Sequence, residues 1–264
     1  MNQQSIAQQS AVNRPRTALV LSAGAMYGSY QAGVWQALAE REPVDLVIGA
    51  SVGSLNGWAI AGGIRPQELA DRWLHLEPAG RFRLRWPQGL RSGFLDAGYL
   101  AEWVQDIFAA YRPRCRYGAV LTRLRPFRPE LFTDDDITWH HLAGSCAMPF
   151  LYPHYQFDGV TYTDGGLMQA LPLWAAERMG CERIIAVNLV PQPPIPGARH
   201  MSRWMRRVSG HHTKEPQQKV IRITPPAPLG TMRDFMIWQR GNAERWIEQG
   251  YRDTERALAA SLNR

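Results

Sequence analysis

The pentapeptide Gly49-Ala50-Ser51-Val52-Gly53 constrains this sequence more than any other segment, because it falls between a predicted strand and a predicted helix. Residues 44–48 form an apolar run rich in strand-forming residues, and a helical pattern follows from Val52. A turn this sharp strains its central residue, and glycines on either side make room for it. The pattern predicts Ser51 as a nucleophile on a strand-to-helix elbow, with a tight packing turn as the alternative.

The stretch from residue 46 to residue 64 has a second interpretation, because it is uncharged and close in length to a membrane-spanning helix. Gly49, Gly53 and Gly57 also have the small-residue spacing of helices that pack within membranes. Two serines, one asparagine and five glycines make the stretch only weakly apolar. A buried strand, a turn and a helix explain it better, since central strands of parallel sheets are apolar throughout.

Strands and helices alternate along the whole sequence, which predicts a three-layer α/β/α fold with a mostly parallel central sheet. The length of 264 residues suits one domain, predicted over residues 16–264 after a disordered arm at residues 1–15. A basic, proline-rich connection at 191–218 is predicted to be mobile, and a long helix at 232–262 closes the chain. The other predicted elements are strands at 17–21, 117–124, 183–189 and 219–224, a hairpin at 155–163, and helices at 29–40, 66–76, 100–111, 137–146 and 172–179.

A nucleophilic serine needs a base, and the sequence offers two kinds. The late histidines, His200, His211 and His212, fall in the connection predicted to be mobile, and Ser51 follows only the second strand, which disfavours the usual Ser-His-Asp arrangement. Asp164 is followed by two glycines and ends an apolar strand, where its side chain can reach a crevice at the sheet edge. Asp164 is therefore the predicted base, with an ordinary turn as the alternative.

The loop after the first predicted strand supplies backbone N–H groups near the elbow if strands one and two are neighbours. The N–H groups of Ala23, Gly24 and Ala25, with that of Val52 at the start of the next helix, are predicted to form an oxyanion hole. A dinucleotide-binding loop is a poor alternative, because Gly24 is followed by Ala25 and Met26 and the Gly-x-Gly-x-x-Gly pattern is absent.

Taken together, these blocks resemble the signature of the patatin-like phospholipases. The blocks are Leu19–Gly33, Gly49–Gly53 and Asp164–Gly166, and Ser145–Pro149 is similar to the block that precedes the aspartate in that family. The resemblance covers roughly residues 17–190, and the combination is far more specific than any one motif.

The resemblance implies a patatin-like fold and an enzyme that hydrolyses lipid acyl esters, of the phospholipase A or lysophospholipase type. It implies a catalytic dyad in which Ser51 is the nucleophile and Asp164 the base. It also implies a lipid or phospholipid substrate and neither a metal nor a cofactor.

The first block departs from the family pattern of three glycines, a variable residue, a basic residue and a glycine. This sequence has Ala23-Gly24-Ala25-Met26-Tyr27-Gly28 instead. Alanine keeps its N–H group, but a positive φ costs an alanine about 1 kcal/mol or more. The altered block motivates an alternative function, a catalytically weak or inactive lipid- or membrane-binding protein on the same fold, which ester turnover distinguishes.

The net charge of +7 and the arginine clusters at 81–91, 112–128 and 203–207 indicate an attraction to polyanions, with a solvated basic face as the alternative. Basic and aromatic residues together suit an anionic lipid surface and single-stranded nucleic acid equally well. No recognised nucleic-acid-binding module accompanies these clusters, so no specific nucleic acid is predicted. Peripheral docking on an anionic membrane through residues 81–91 is the hypothesis that the clusters motivate. Five residues have two interpretations, an acyl or membrane-facing surface and the hydrophobic core, and the core is the more common place for aromatic residues: Trp58, Phe82, Trp86, Phe94 and Leu95.

Cysteine usage and the first residues bear on the compartment. The three cysteines lie far apart, which favours a reducing environment, and residues 1–15 lack the apolar stretch of a signal peptide. The sequence therefore predicts a cytoplasmic protein and leaves its oligomeric state open.

Overall fold

The core of the fold is one eight-stranded sheet. A computed structural model describes residues 17–76, 98–191 and 216–262 of the chain. The strands are β1 (Thr17–Leu21), β2 (Leu46–Ala50), β3 (Arg116–Leu124), β4 (Phe127–Thr133), β5 (Tyr155–Phe157), β6 (Val160–Thr163), β7 (Arg183–Val187) and β8 (Lys219–Ile223). Their order is β5-β6-β3-β2-β1-β7-β8, and β4 pairs with β3.

The sheet is mostly parallel, as predicted. The pairs that join β3, β2, β1, β7 and β8 are all parallel, whereas β4, β5 and β6 form antiparallel pairs at one side. The central strands β1 and β2 are buried along their whole length, which explains their continuous apolar sequence. As the sequence analysis assumed, β1 and β2 are neighbours.

Helices cover both faces of the sheet, which confirms the predicted three layers. Successive residues of a strand point to opposite faces: Leu19 and Leu21 belong to one hydrophobic cluster, and Ala18 and Val20 to the other. The helices are α1 (Gly28–Leu38), α2 (Val52–Ala61), α3 (Pro66–Leu74), α4 (Gly98–Ala110), α5 (Trp139–Ser145), α6 (Leu173–Arg178), α7 (Met232–Met236) and α8 (Arg240–Leu262). Helix α6 packs in the second cluster, while α1, α2, α3 and α8 pack in the first.

The uncharged stretch from residue 46 to residue 64 contains β2, the turn at Ser51 and α2, as the strand-turn-helix interpretation predicts. None of the helices in the described residues combines the length and the apolarity that a membrane crossing requires. Strand β2 begins two residues later than predicted, so that Ala50, directly before Ser51, is its last residue.

The helix predicted over residues 232–262 is divided in the structure. Helix α7 begins after Thr231, whose hydroxyl accepts a hydrogen bond from the Asp234 N–H, and Asp234 accepts one from the Thr231 N–H in return. The chain is then extended at Ile237, and α8 begins at Arg240. The break brings Trp238 against α3, where its indole N–H donates to the Trp73 carbonyl at 2.9 Å.

Two further differences lie between β3 and α5. Strand β4, which was not predicted, contains Pro129 and pairs only with β3, an edge position that tolerates a residue without an N–H. The helix predicted from residue 137 begins two residues later, after a separate 3-10 turn at 134–136. Helix α5 starts at Trp139, capped by Thr138 and His141.

Several sequence predictions concern segments that the structure does not describe. These are the arm at 1–15, the arginine-rich segment at 81–91, most of the connection at 191–218, and the late histidines. Of the five residues with an acyl or membrane-facing interpretation, only Trp58 falls within the described ranges.

Candidate active site

Ser51 occupies a strained elbow between β2 and α2. Its φ of 53° and ψ of −130° lie in a region that residues with side chains rarely adopt, at a cost of about 1–3 kcal/mol. A Cβ atom on Gly49 would lie 2.1 Å from the Gly53 carbonyl oxygen, and one on Gly53 would lie 2.5 Å from the Leu21 carbonyl oxygen. Both glycines are therefore required for the turn to pack at all, as the sequence pattern predicts.

Ser51 and Asp164 come together because β2 and β6 lie end to end along one edge of β3. The last residue of β2 pairs with Val120, and the last residue of β6 pairs with Thr122. Strand β4 pairs along the other edge of β3. The two chain segments therefore approach each other from opposite directions, and the residues that follow them, Ser51 and Asp164, meet at the gap.

Ser145, at the end of α5, joins the two segments. Its hydroxyl accepts a hydrogen bond from the Ser51 N–H at 2.9 Å and donates one to the Val120 carbonyl at 2.8 Å. The Ser145 carbonyl accepts a third from the Gly165 N–H at 3.0 Å. Sequence reasoning assigned Ser145 no role, and the only signal was its place in the block similar to that preceding the family's aspartate.

The Asp164 carboxylate is buried and only partly satisfied. Its Oδ1 accepts a hydrogen bond from the Gly166 N–H at 2.7 Å, whereas Oδ2 has no partner of good geometry among the described residues. Burial raises the pKa of Asp164 to about 6, although the nearby Ser51 hydroxyl and the Gly166 N–H lower it in part. The hydroxyl is thus close enough to favour the ionised carboxylate without completing a hydrogen bond, as is common in sites without substrate.

A cysteine thiol lies beside the same serine. Cys146 is buried, and its side chain interacts with those of Ser51 and Ser54. Burial, together with the negative charge of Asp164, raises the pKa of Cys146 well above its usual value. A thiol that stays protonated is a weak nucleophile, so Ser51 is the stronger candidate.

The loop from Ser22 to Gly28 contains three of the four N–H groups predicted to form an oxyanion hole, and one of the three has another acceptor. The Ala23 N–H donates to the Ala170 carbonyl at 2.9 Å, so the prediction that Ala23 contributes is wrong. The N–H groups of Gly24, Ala25 and Val52 have no acceptor among the residues that the structure describes. These three remain available for a negatively charged oxygen next to Ser51.

Ala25 carries the strain that the altered glycine block predicts. Its φ is 45°, whereas Ala23 has no positive φ. Ala25→Gly is therefore expected to be more stable than Ala23→Gly by about 1–2 kcal/mol, because only the first substitution relieves a left-handed alanine. Urea denaturation of both variants measures the difference, and equal stabilities would contradict the assignment of strain to position 25.

Tyr27 occupies the position of the family's basic residue and has a different role. Its ring is buried and packs edge-to-face on Phe235 at 5.3 Å and on Trp246 at 4.9 Å between ring centroids. Its hydroxyl donates to the Thr231 carbonyl at 3.0 Å. Tyr27 thus attaches the loop to the C-terminal helices and does not present a positive charge.

A buried chain of polar side chains holds this loop against α2, and sequence reasoning missed it. Gln31 donates to the Ser22 carbonyl at 2.8 Å and accepts a hydrogen bond from Asn56 at 2.9 Å. The Trp73 indole N–H donates to Asn56 Oδ1 at 3.1 Å, and the Ser22 hydroxyl accepts a bond from the Leu189 N–H at 2.9 Å. Buried networks that are satisfied in this way fix the positions of their members.

Ser51 opens into an apolar cavity of about 470 Å³. None of the described residues that line it is charged, and none is a histidine. Large side chains from α2, α3, α4 and the segment after α7 form most of its wall, among them Leu55, Trp73, Leu100, Trp103 and Trp238.

Trp58 does not line this cavity, so its acyl or membrane-facing interpretation does not hold. Its side chain is buried, stacks on Phe108 at 4.8 Å between centroids, and donates to the Tyr111 carbonyl at 2.9 Å. The alternative that the sequence analysis left open, a place in the hydrophobic core, is the observed one.

The fold and the site define an α/β protein with a serine on a strained strand-to-helix elbow and an aspartate beside it. The chain matches the family described as patatin-like phospholipase over residues 19–177. It therefore belongs to the patatin-like phospholipase family, as the three sequence blocks predict.

Several relatives match much of the chain. An uncharacterised NTE family protein of Mycobacterium tuberculosis is 31% identical over 180 residues, which are 66% of this chain and 49% of that protein. Lysophospholipase NTE1 of Mycosarcoma maydis is 28% identical over 65% of this chain and 9% of its own length. The uncharacterised protein YjjU of Escherichia coli K12 is 25% identical over 84% of this chain and 68% of its own. The chain thus spans about half the length of the mycobacterial relative.

A solved structure shares the fold. VipD from Legionella pneumophila aligns with a TM-score of 0.54 over 94% of this chain and 67% of that chain, at 12% sequence identity. At this identity the likeness concerns the fold alone.

Proposed function

We propose that this protein hydrolyses acyl esters of lipids through a Ser51–Asp164 dyad and an acyl-enzyme intermediate, as a phospholipase A or lysophospholipase. One observation carries the proposal: a buried carboxylate, one oxygen of which has no hydrogen-bond partner among the described residues, lies beside a serine that occupies a strained elbow and lines an apolar cavity. Membership of the patatin-like phospholipase family supports a lipid substrate, as does the lysophospholipase named among the relatives.

In the first half of the reaction, Asp164 Oδ2 takes the proton of the Ser51 hydroxyl while Oγ attacks the ester carbonyl. The N–H groups of Gly24, Ala25 and Val52 stabilise the negative oxygen that forms. The C–O bond to the alcohol then breaks, and Asp164 returns its proton to the departing oxygen.

The second half repeats these steps with water. Asp164 takes a proton from a water molecule as the water oxygen attacks the acyl-enzyme carbonyl. When the tetrahedral intermediate collapses, Ser51 Oγ leaves and recovers that proton, and the fatty acid is released. The Asp164 carboxylate is ionised again, so each cycle consumes one water and leaves the protein unchanged.

Hydrolysis of p-nitrophenyl butyrate tests this function, and its pH dependence tests the base. Because burial raises the pKa of Asp164 to about 6 and only the ionised form accepts a proton, kcat/KM should rise with pH up to about 6 and then level off. Below that pH, the rise should be about tenfold per unit for a single ionisation. Activity that falls as the pH rises through 6 would reject a carboxylate base.

The alternative, a lipid-binding protein with little or no catalysis, is favoured by the altered first block. The strained Ala25 and the uncharged Tyr27 both replace residues that the family pattern would place there. A protein that binds fatty acids but does not turn over the butyrate ester would support this alternative. The predicted docking on anionic membranes rests on residues 81–91, outside the described ranges, and stays a prediction from sequence.

A further inference from the structure

The first turn of helix α2 lines part of the cavity, and the rise of the helix measures distances from Ser51. Ser51 lies at the N-terminus of α2, and Val52 and Leu55 line the cavity along the first turn. Leu55 also lines a second, much smaller void of about 10 Å³, together with Asn56 and Ala59 from further along α2 and Arg72 from α3. Since a helix rises about 1.5 Å per residue, Ala59 lies about 6 Å beyond Leu55 along the axis.

Three side chains line both the cavity and the void, namely Leu55 and two tryptophans. Trp73 from α3 and Trp103 from α4 line both spaces, and their rings meet edge-to-face with centroids 5.9 Å apart and planes at 85°. Trp73 is buried and held by its bond to Asn56, whereas Trp103 is only partly buried. The aromatic part of the boundary between the two spaces therefore consists of one fixed indole, that of Trp73, and a second indole that packs against it.

We infer that the cavity binds a single acyl chain, with its carbonyl at Ser51, and that the Trp73–Trp103 pair ends the cavity and limits the chain length. This inference rests on the proposed function. An uncharged, apolar lining suits a hydrocarbon chain and provides no partner for a charged head group, which must stay outside. Esters with one acyl chain of limited length are accordingly the substrate class of this site.

The inference is tested by the ratio of kcat/KM for p-nitrophenyl hexadecanoate to kcat/KM for the butyrate ester. Trp103→Ala should join the cavity to the void, so this ratio should rise about tenfold or more. Because the joined space extends by about one turn of α2, the preferred acyl chain should lengthen by about four carbons. Leu100→Trp fills the cavity and should shift the preference towards shorter chains. Trp139→Ala is the matched control, because Trp139 is also partly buried but stacks on His140, away from the cavity.

A binding measurement in Ser51→Ala separates this inference from the proposed function. Saturated fatty acids of increasing length displace the amphiphilic dye 1-anilinonaphthalene-8-sulfonate, which fluoresces in apolar surroundings, from Ser51→Ala with and without Trp103→Leu. Trp103→Leu retains a large apolar side chain and guards against a variant that does not fold. A shift of the tightest-binding fatty acid to greater length supports the inference even if wild-type protein hydrolyses no ester. Chain-length profiles that are the same with and without the Trp103 substitutions, in hydrolysis or in binding, would overturn it.

Discussion

Ser51→Ala is expected to lower kcat/KM for p-nitrophenyl butyrate by about 10⁴-fold, close to the loss of all catalysis. The substitution removes the oxygen that attacks the carbonyl, and no neighbouring group replaces it, because burial keeps the Cys146 thiol protonated. Folding should be little affected. The backbone N–H of residue 51 keeps its bond to Ser145, and alanine bears the same positive φ as serine.

Ser261→Ala is the control for this substitution. Its hydroxyl donates to the Leu258 carbonyl at 2.8 Å in α8 and takes no part in the cavity. Both variants should unfold in urea at midpoints close to that of the wild type. Turnover within about tenfold of wild type in folded Ser51→Ala would reject Ser51 as the nucleophile.

Asp164→Asn is expected to lose turnover and gain stability at the same time. The amide cannot accept the Ser51 proton, so kcat/KM should fall about 10³-fold. The stability change follows from the pKa of about 6 in the folded protein, which is raised above the value of about 3.9 in the unfolded chain. Well below pH 4 the Asp164 carboxyl group is protonated in both the folded and the unfolded protein, so its ionisation does not change the free energy of unfolding. Between about pH 4 and pH 6 the unfolded chain releases this proton while the folded protein keeps it, so the free energy of unfolding falls across this range and levels off above about pH 6.

The asparagine variant avoids this loss, so it should be more stable than wild type at pH 8 by up to about 3 kcal/mol, with the difference vanishing near pH 4. Urea denaturation at both pH values measures it. Asp158→Asn is the matched control, because Asp158 is exposed in the β5–β6 turn and should show neither effect. An Asp164→Asn variant that is less stable than wild type at pH 8 would contradict a carboxylate whose ionisation is opposed by burial.

A substitution that lowers turnover and raises stability is expected where catalysis and stability compete. The strain at Ser51 and the unpartnered oxygen of Asp164 both destabilise the folded state. Neither feature improves packing, and both are needed for the proposed acyl transfer.

The sequence predicted the parts of the fold that depend on local patterns. The apolar runs of β1 and β2, the glycines of the elbow and the Asp158-Gly159 turn of the β5–β6 hairpin are each specified by residues within a short window. The break between α7 and α8 was not predictable in this way. It depends on the bond between Trp238 and the Trp73 carbonyl, a contact between residues far apart in the sequence.

The site was predicted in the same uneven way. Ser51 and Asp164 stand in recognisable motifs, but their proximity results from the pairing of β2 and β6 along one edge of β3. Ala23 was predicted to donate to the oxyanion, yet its N–H is occupied by Ala170, which no local pattern indicates. Ser145 was missed for the same reason, since its hydrogen bonds run to two separate strand ends.

The pH dependence of fluorophosphonate labelling probes both members of the proposed dyad at once, the Ser51 nucleophile and the Asp164 base. The wild-type protein is incubated with the probe between pH 4.5 and pH 9, and the adduct is located by peptide mass mapping. The expected result is one adduct, on Ser51, formed at a rate that rises up to about pH 6 and then levels off, and formed far more slowly in Asp164→Asn. An adduct on another residue, or equal labelling rates in wild type and Asp164→Asn, would rule out the Ser51–Asp164 dyad.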